Sequence, residues 1–164
     1  GCGTGAATWM LARALPGTIT AIDQLPDFLT ALEGRRPSAS LSACVKTQVA
    51  DFSSLPFPQE SFDLIWSEGA IYNLGFAAGL AAWRPFLKPE GFIAVSELTW
   101  LTAQRAAPLE AFWNEAYPEV ATASTKLAIL ERQGFRPVGY FPLLLGQYKH
   151  QIHQVLLLHP QITA

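Results

Sequence analysis

Apolar and polar positions along the chain alternate between a helical and a strand period, and their order is that of a layered α/β protein. Residues 6–15 are good helix formers, apolar nearly all round, and Pro16 and Gly17 stop them; this predicts a helix buried against a sheet. Residues 18–22 read as a short β-branched strand ending at Asp23. Pro26 suits the first position of the next helix, and Phe28, Leu29 and Leu32 give that helix one apolar face. A Pro/Ser-rich loop over 37–42 leads to a strand over 44–50 that ends at Asp51. Residues 62–66 form a compact apolar strand ending near Ser67. A helix over 74–87 follows, with Phe76, Leu80, Trp83 and Leu87 at helical spacing. A turn is expected at 88–91 and a strand at 92–96. Two helices are expected near 109–116 and 122–133, before Gly134. The tail offers two strand-like runs, 135–145 and 150–158, suited to an antiparallel hairpin or meander at a sheet edge.

The 164 residues suit a single domain over 1–164 with one sizeable core. Half the residues are hydrophobic and 15% are charged, which excludes global disorder. Eleven Lys and Arg against thirteen Asp and Glu give a net charge of -2 with no basic run, so nucleic acid is not the expected partner. The longest apolar stretches, 141–145 and 155–158, fall far short of the roughly 20 residues of a membrane span. Cys2 and Cys44 make neither a disulfide framework nor a zinc site, and read as two thiols in a reducing, cytoplasmic compartment. His150 and His153, three apart in an expected strand, point to opposite faces, so no metal is expected there.

Candidate chemistry begins at Gly1-Cys2-Gly3-Thr4-Gly5, directly before the first helix. Glycines admit close backbone approach to a ligand, and the amides of a helix start add partial positive charge. Asp23 follows 18 residues after Gly5, at the end of the next strand. An ionised carboxylate there accepts both hydroxyl hydrogens of a ribose. The pair points to a nucleoside-containing cofactor. It leaves open a nicotinamide dinucleotide or S-adenosylmethionine, since Gly1, Gly3 and Ala6 also satisfy a G-x-G-x-x-A pattern.

The next segments favour the second. Val49-Ala50-Asp51-Phe52, Leu55-Pro56-Phe57 and Ser61-Phe62-Asp63-Leu64-Ile65 resemble the passage after the third strand of class I S-adenosylmethionine-dependent methyltransferases. The stretch Trp83-Arg84-Pro85-Phe86-Leu87-Lys88-Pro89-Glu90-Gly91 resembles their helix-to-fifth-strand passage, with Glu90 replacing one glycine of L-K-P-G-G. Ser67-Glu68-Gly69-Ala70-Ile71-Tyr72-Asn73 and Glu115-Ala116-Tyr117-Pro118-Glu119 are similar to a bacterial small-molecule subgroup.

The resemblance implies a Rossmann-like three-layer α/β sandwich, its sheet mostly parallel with an antiparallel C-terminal edge. It implies in-line transfer of a methyl group from S-adenosyl-L-methionine to a small-molecule acceptor. Gly1, Gly3 and Gly5 would lie under the methionine part, Asp23 would take the ribose hydroxyls, and Gln24 and Leu25 would lie near the adenine. Asp51 would accept the adenine amine, the Phe52 amide would meet a ring nitrogen, and Ser67, Glu68 and Gly69 would leave the fourth strand beside the methionine. Expected strand ends gather the glycine turn, Asp23, Asp51, Ser67 and Glu97 along one sheet edge, where ligands of open α/β sheets bind. Rim positions make Glu68, Tyr72, Asn73 and Glu97 candidates to meet the acceptor, with Trp66 and Trp100 as walls. The rival readings are a helix cap for Tyr72, core for Trp66 and Trp100, and a solvated strand-end acid for Glu97, and none is assigned as a catalytic base. Partners are then a small-molecule acceptor and, at most, a second copy of the chain.

The chain departs from the family in three places. The family sheet has order 3-2-1-4-5-7-6, and here the central first strand, with its acidic residue two before the first glycine, is missing from the sequence, which opens inside the motif. A missing central strand would leave a gap of about 10 Å with unpaired backbone groups, so the chain alone is expected to be unstable or repacked and to bind cofactor poorly. The family's upstream lid is absent, and the tail beyond Pro142 lacks the subgroup's aromatic, polar segment. Two rivals stand beside the methyltransferase. One is a nicotinamide-dependent oxidoreductase, for which Tyr148-Lys149 has the wrong spacing; the other is a non-catalytic binding domain on the same fold.

Overall fold

The structure is a computed structural model that describes residues 1–36, 41, 44–144 and 152–160. The chain divides into two compact units, Gly1–Pro56 and Phe57–Ala164.

In the first unit the opening turn leads into helix α1 (Ala6–Ala14). Strand β1 (Ile19–Asp23), helix α2 (Pro26–Gly34) and strand β2 (Val45–Val49) follow. Pro26 stands in the first turn of α2, where its missing N–H costs nothing. β1 and β2 pair in parallel from Ile19–Val45 to Asp23–Val49, which brings both strands to their carboxyl ends together. Trp9, Ala12, Ala21 and Leu32 form the buried core, and the Trp9 Nε1 donates to the Leu32 carbonyl at 3.1 Å. Most of the loop expected over 37–42 lies outside the described residues.

Gly5 caps α1 in a left-handed conformation, φ 85°, and a Cβ there would stand 2.4 Å from Leu32 Cγ. Both strain and overlap oppose any side chain. Gly5→Ala is therefore expected to destabilise the protein by about 2–4 kcal/mol, read from urea unfolding.

The second unit opens with β3 (Phe62–Ser67), a 3₁₀ turn (Ile71–Asn73) and α3 (Phe76–Trp83). A second 3₁₀ turn (Arg84–Phe86) leads to β4 (Leu87–Trp100), α4 (Ala107–Ala116) and the two-residue β5 (Ala121–Thr122). It closes with α5 (Ala123–Arg132), β6 (Phe135–Leu144) and β7 (Ile152–Pro160). The sheet order is β3-β4-β7-β6, with β5 beside the end of β4. β3 and β4 are parallel, whereas β7 runs antiparallel to both β4 and β6. The tail strands thus form the expected antiparallel pair, with β7 inserted between β4 and β6. Tyr148, Lys149 and His150 lie outside the described residues.

Two expectations change here. The helix expected over 74–87 is α-helical only from Phe76 to Trp83, because Pro85 has no N–H to donate and the chain tightens into a 3₁₀ turn. The turn expected at 88–91 is instead a wide bulge inside one long strand: Phe62 pairs with Leu87, but Leu64 pairs with Phe92. β4 also continues past Ser96 to Trp100, because β7 pairs with it as far as Thr99 and β5 takes up Thr99 and Trp100.

Candidate functional site

In the first unit, the carboxyl ends of β1 and β2 carry most of the expected cofactor residues. Asp23 is only 7% exposed, and its carboxylate organises the opening turn: Oδ2 accepts the Gly3 N–H at 2.9 Å and Oδ1 the Leu25 N–H at 3.1 Å. Each oxygen has a second lone pair for a further donor. Gly3 has φ 52°, and a Cβ built on it would meet nothing within 4 Å, so the backbone there faces open space. The Cys2 N–H bonds to the Ile22 carbonyl at 2.8 Å, which ties the turn to the end of β1. Arg35 Nη1 donates to Thr4 Oγ1 at 2.8 Å on the other side of the turn. Burial pushes the Cys2 thiol pKa up, so it stays a neutral thiol.

Asp51 is exposed, two residues beyond the end of β2. Its Oδ1 accepts the Ser53 N–H at 2.7 Å. Hydrogen bonds from the Ser53 side chain and backbone, and from the Gln24 side chain, hold its carboxyl below the usual range. The Ala50 N–H bonds to the Asp23 carbonyl at 3.0 Å, so Asp23, Gln24 and Asp51 form one connected edge. Leu25 is exposed and Phe52 is half-buried beside them. An acceptor-rich edge beside an open glycine turn suits a ligand with paired hydroxyls and an amine. That donor set fits an adenosine.

In the second unit, Trp66, Ser67, Glu68, Ala94, Val95 and Ser96 line a shallow depression at the carboxyl end of β3. The Gly69 N–H donates to Ser96 Oγ at 2.7 Å, fixing the chain as it leaves the strand. Ser67 Oγ is buried and has no hydrogen-bond partner among the described residues. Trp66 and Tyr72 are exposed, as is Asn73, whose Nδ2 donates to the Ala70 carbonyl at 3.0 Å.

Glu97 and Trp100 are corrected as acceptor-side residues. The rim reading of Glu97 and the wall reading of Trp100 assume that the strand ends near Ser96, whereas the core reading of Trp100 holds. Because β4 continues, Glu97 lies inside the sheet at 1% exposure, and Trp100 is buried with Tyr117 and Val120. Lys126, fully buried on α5, places its Nζ 2.6 Å from Glu97 Oε1. The Tyr117 hydroxyl donates to the same oxygen at 2.5 Å, and Lys126 Nζ lies 3.2 Å from the Tyr117 oxygen. The Lys126 ammonium also sits over the rings of Phe76 and Tyr117, 4.7 and 4.9 Å from their centroids. Burial pushes the Glu97 carboxyl up, opposed by Lys126; burial and Glu97 push the Tyr117 phenol up, so it keeps its proton. Glu97 Oε2 has no hydrogen-bond partner among the described residues.

Lys126 carries no role in the sequence-based expectations, and Glu119 enters them only within the 115–119 stretch. A signal for Lys126 was present, since it stands four residues before buried Leu130 on the apolar stripe of α5. Glu119 acts at a distance in sequence: its Oε2 accepts the Phe76 N–H at 2.7 Å and so caps α3, which has no side-chain cap of its own. Glu119→Ala is expected to cost about 1–2 kcal/mol of stability in a thermal melt.

Among the described residues no group of three His, Cys, Asp or Glu is placed to hold a metal ion, and no helix is long and apolar enough to cross a membrane.

The family description "Methyltransferase domain" matches residues 1–95, which takes in the glycine turn, both aspartates and the β3 exit. The chain belongs to this methyltransferase family. Its cofactor is S-adenosyl-L-methionine. Solved structures share the Rossmann-like methyltransferase fold at low identity. An S-adenosylmethionine-dependent methyltransferase from Methanosarcina mazei is 16% identical, with a TM-score of 0.76, over 99% of this chain and 91% of that one. Geranyl diphosphate methyltransferase in complex with S-adenosylmethionine is 14% identical, with a TM-score of 0.74, over 99% and 76%. The (4+2)-cyclase SpnF is 17% identical, with a TM-score of 0.78, over 99% and 73%. The sheet order β3-β4-β7-β6 of this methyltransferase reproduces the 4-5-7-6 half of the family order, and β1 beside β2 reproduces its 3-2 pair.

Proposed function

We propose that this methyltransferase moves a methyl group from S-adenosyl-L-methionine to a small-molecule acceptor by in-line displacement. The observation that carries the reading is the Asp23 carboxylate, buried, gripping the glycine turn and the Leu25 amide at once, with acceptor capacity to spare. Asp23 would bind the ribose hydroxyls, and Gly1, Gly3 and Gly5 would give the methionine part its close approach. Asp51 would accept the adenine amine and the Phe52 amide would meet the ring, with Gln24 and Leu25 against it. Ser67, Glu68 and Gly69 are assigned to the methionine end, a role supported by the orphaned Ser67 hydroxyl.

The bound sulfonium supplies an already activated methyl group, so the protein's work is to align the acceptor and keep water out. Trp66, Tyr72 and Asn73, all exposed after or near the end of β3, are the residues we assign to the acceptor side. A base is needed only where the acceptor must lose a proton early. The two half-buried cysteines support a reducing, cytoplasmic setting.

Calorimetric titration with S-adenosyl-L-methionine, S-adenosyl-L-homocysteine and NADH tests the reading. Binding of the first two and not the third supports it. Binding of NADH without S-adenosyl-L-homocysteine would replace it with the oxidoreductase, and cofactor binding with no methyl transfer to any small-molecule pool would leave a binding domain.

A further inference from the structure

Two sequence stretches that resembled a small-molecule subgroup, 67–73 and 115–119, are far apart in the chain and meet in the second unit. The Tyr117 ring packs edge-to-face against the exposed Tyr72 ring, with centroids 6.2 Å apart at 70°. Two residues later, Glu119 holds the Phe76 N–H, and its Oε1 occupies the space a side chain on Gly75 would need. The segment from Tyr117 to Glu119 therefore grips the turn carrying Tyr72 and Asn73 at both ends. The grip is itself anchored from beneath. Tyr117 hydrogen-bonds to Glu97 of β4, and Glu97 is ion-paired with Lys126 of α5.

A fully buried Lys–Glu pair is poor value as a stabiliser, because desolvation cancels much of the attraction and apolar residues of similar size do as well. Its geometric consequence is more specific. The Glu97 oxygen that Lys126 holds is the one that fixes the Tyr117 hydroxyl, and hence the rotamer of the ring behind Tyr72.

We propose that Glu97 is a positioning residue for the acceptor side of the site: acting through the Tyr117 hydroxyl, it sets the ring that holds Tyr72 in place. The inference rests on the reading of Tyr72 as an acceptor-facing residue. Glu97 touches no substrate in this account, and Lys126 balances its charge while donating to the Tyr117 oxygen at 3.2 Å, a contact that both double variants remove alike.

Fluorine NMR on protein labelled with 3-fluorotyrosine tests the proposal. The chain has four tyrosines, and Tyr72→Phe identifies the Tyr72 signal. Two charge-neutral double variants separate positioning from folding. Glu97→Gln with Lys126→Met keeps an oxygen for the Tyr117 hydroxyl, and Glu97→Leu with Lys126→Met removes it. The first is expected to leave the Tyr72 signal in place, and the second to shift and broaden it in a protein that still melts cooperatively. Tyr117→Phe, which removes only the hydroxyl, is expected to act like the second and gives the same answer should that variant not fold. An unmoved Tyr72 signal in Glu97→Leu/Lys126→Met and Tyr117→Phe would overturn the proposal, as would equal displacement in both double variants. Titration of the same samples with S-adenosyl-L-homocysteine keeps the two readings apart. Absence of binding by the unsubstituted protein counts against methyl transfer, whereas binding with an unmoved Tyr72 signal in Glu97→Leu/Lys126→Met and Tyr117→Phe counts against Glu97 alone.

Discussion

Asp23→Ala is expected to weaken S-adenosyl-L-homocysteine binding at least about 100-fold, a loss of about 3 kcal/mol or more, measured by titration calorimetry. The substitution removes the acceptor assigned to the ribose hydroxyls. It also releases the Gly3 and Leu25 amides that the same carboxylate fixes at 2.9 and 3.1 Å. The turn then loses the order that lets a ligand approach its backbone, so lost contact and lost preorganisation add. Asp23→Asn is expected to fall between the two, since an amide keeps one acceptor oxygen and turns the other position into a donor facing an N–H. Asp51→Ala is milder, because Asp51 is exposed and fixes no buried amide.

Lys126→Met is expected to destabilise the protein by about 3–5 kcal/mol, lowering the melting temperature by about 10 °C. It leaves the Glu97 charge buried with only the Tyr117 hydroxyl to stabilise it. Adding Glu97→Leu to the same protein is expected to restore most of the loss, because two apolar side chains remove both the charge and its desolvation. The deficit of Lys126→Met also depends on pH. Burial raises the Glu97 pKa above its unfolded value, so the native state holds that proton more tightly than the unfolded chain. The Glu97 contribution is then fully present below the ordinary carboxylate range and is lost as pH rises through the raised value. Urea unfolding at a series of pH values should show the deficit of Lys126→Met shrinking as pH is lowered. A deficit independent of pH would mean that Glu97 is not the charge left behind.

Local chemistry made much of this fold legible in advance. Pro26 marks the start of α2, Pro16 and Gly17 stop α1, and the strand-end aspartates follow from apolar runs closed by an acid. Those signals act within a few residues of the positions they specify. What escaped was set by pairing across long sequence distances. β4 runs on past Ser96 because β5 and β7 supply partners from more than 20 and 50 residues away, and nothing near Glu97 announces this. The same extension turns Glu97 from a rim residue into the anchor of a buried pair. Lys126 was hidden for a related reason: a lysine on an apolar stripe reads as solvated until its counter-charge is placed opposite. In the candidate site, the glycine turn and Asp23 were readable because glycines before a helix and an acid closing the next strand are both local signals. Tyr117 was recognised only by resemblance, and its contact with Tyr72 required the fold.

The central claim is that the opening turn and the two aspartates form the adenosine end of a methyl-donor site. A crystal structure of the protein with S-adenosyl-L-homocysteine tests it most directly. The account predicts both ribose hydroxyls within hydrogen-bond distance of the Asp23 carboxylate, and the adenine amine at Asp51. Ligand density elsewhere, with the Asp23 oxygens bound to Gly3 and Leu25 and nothing more, would contradict it.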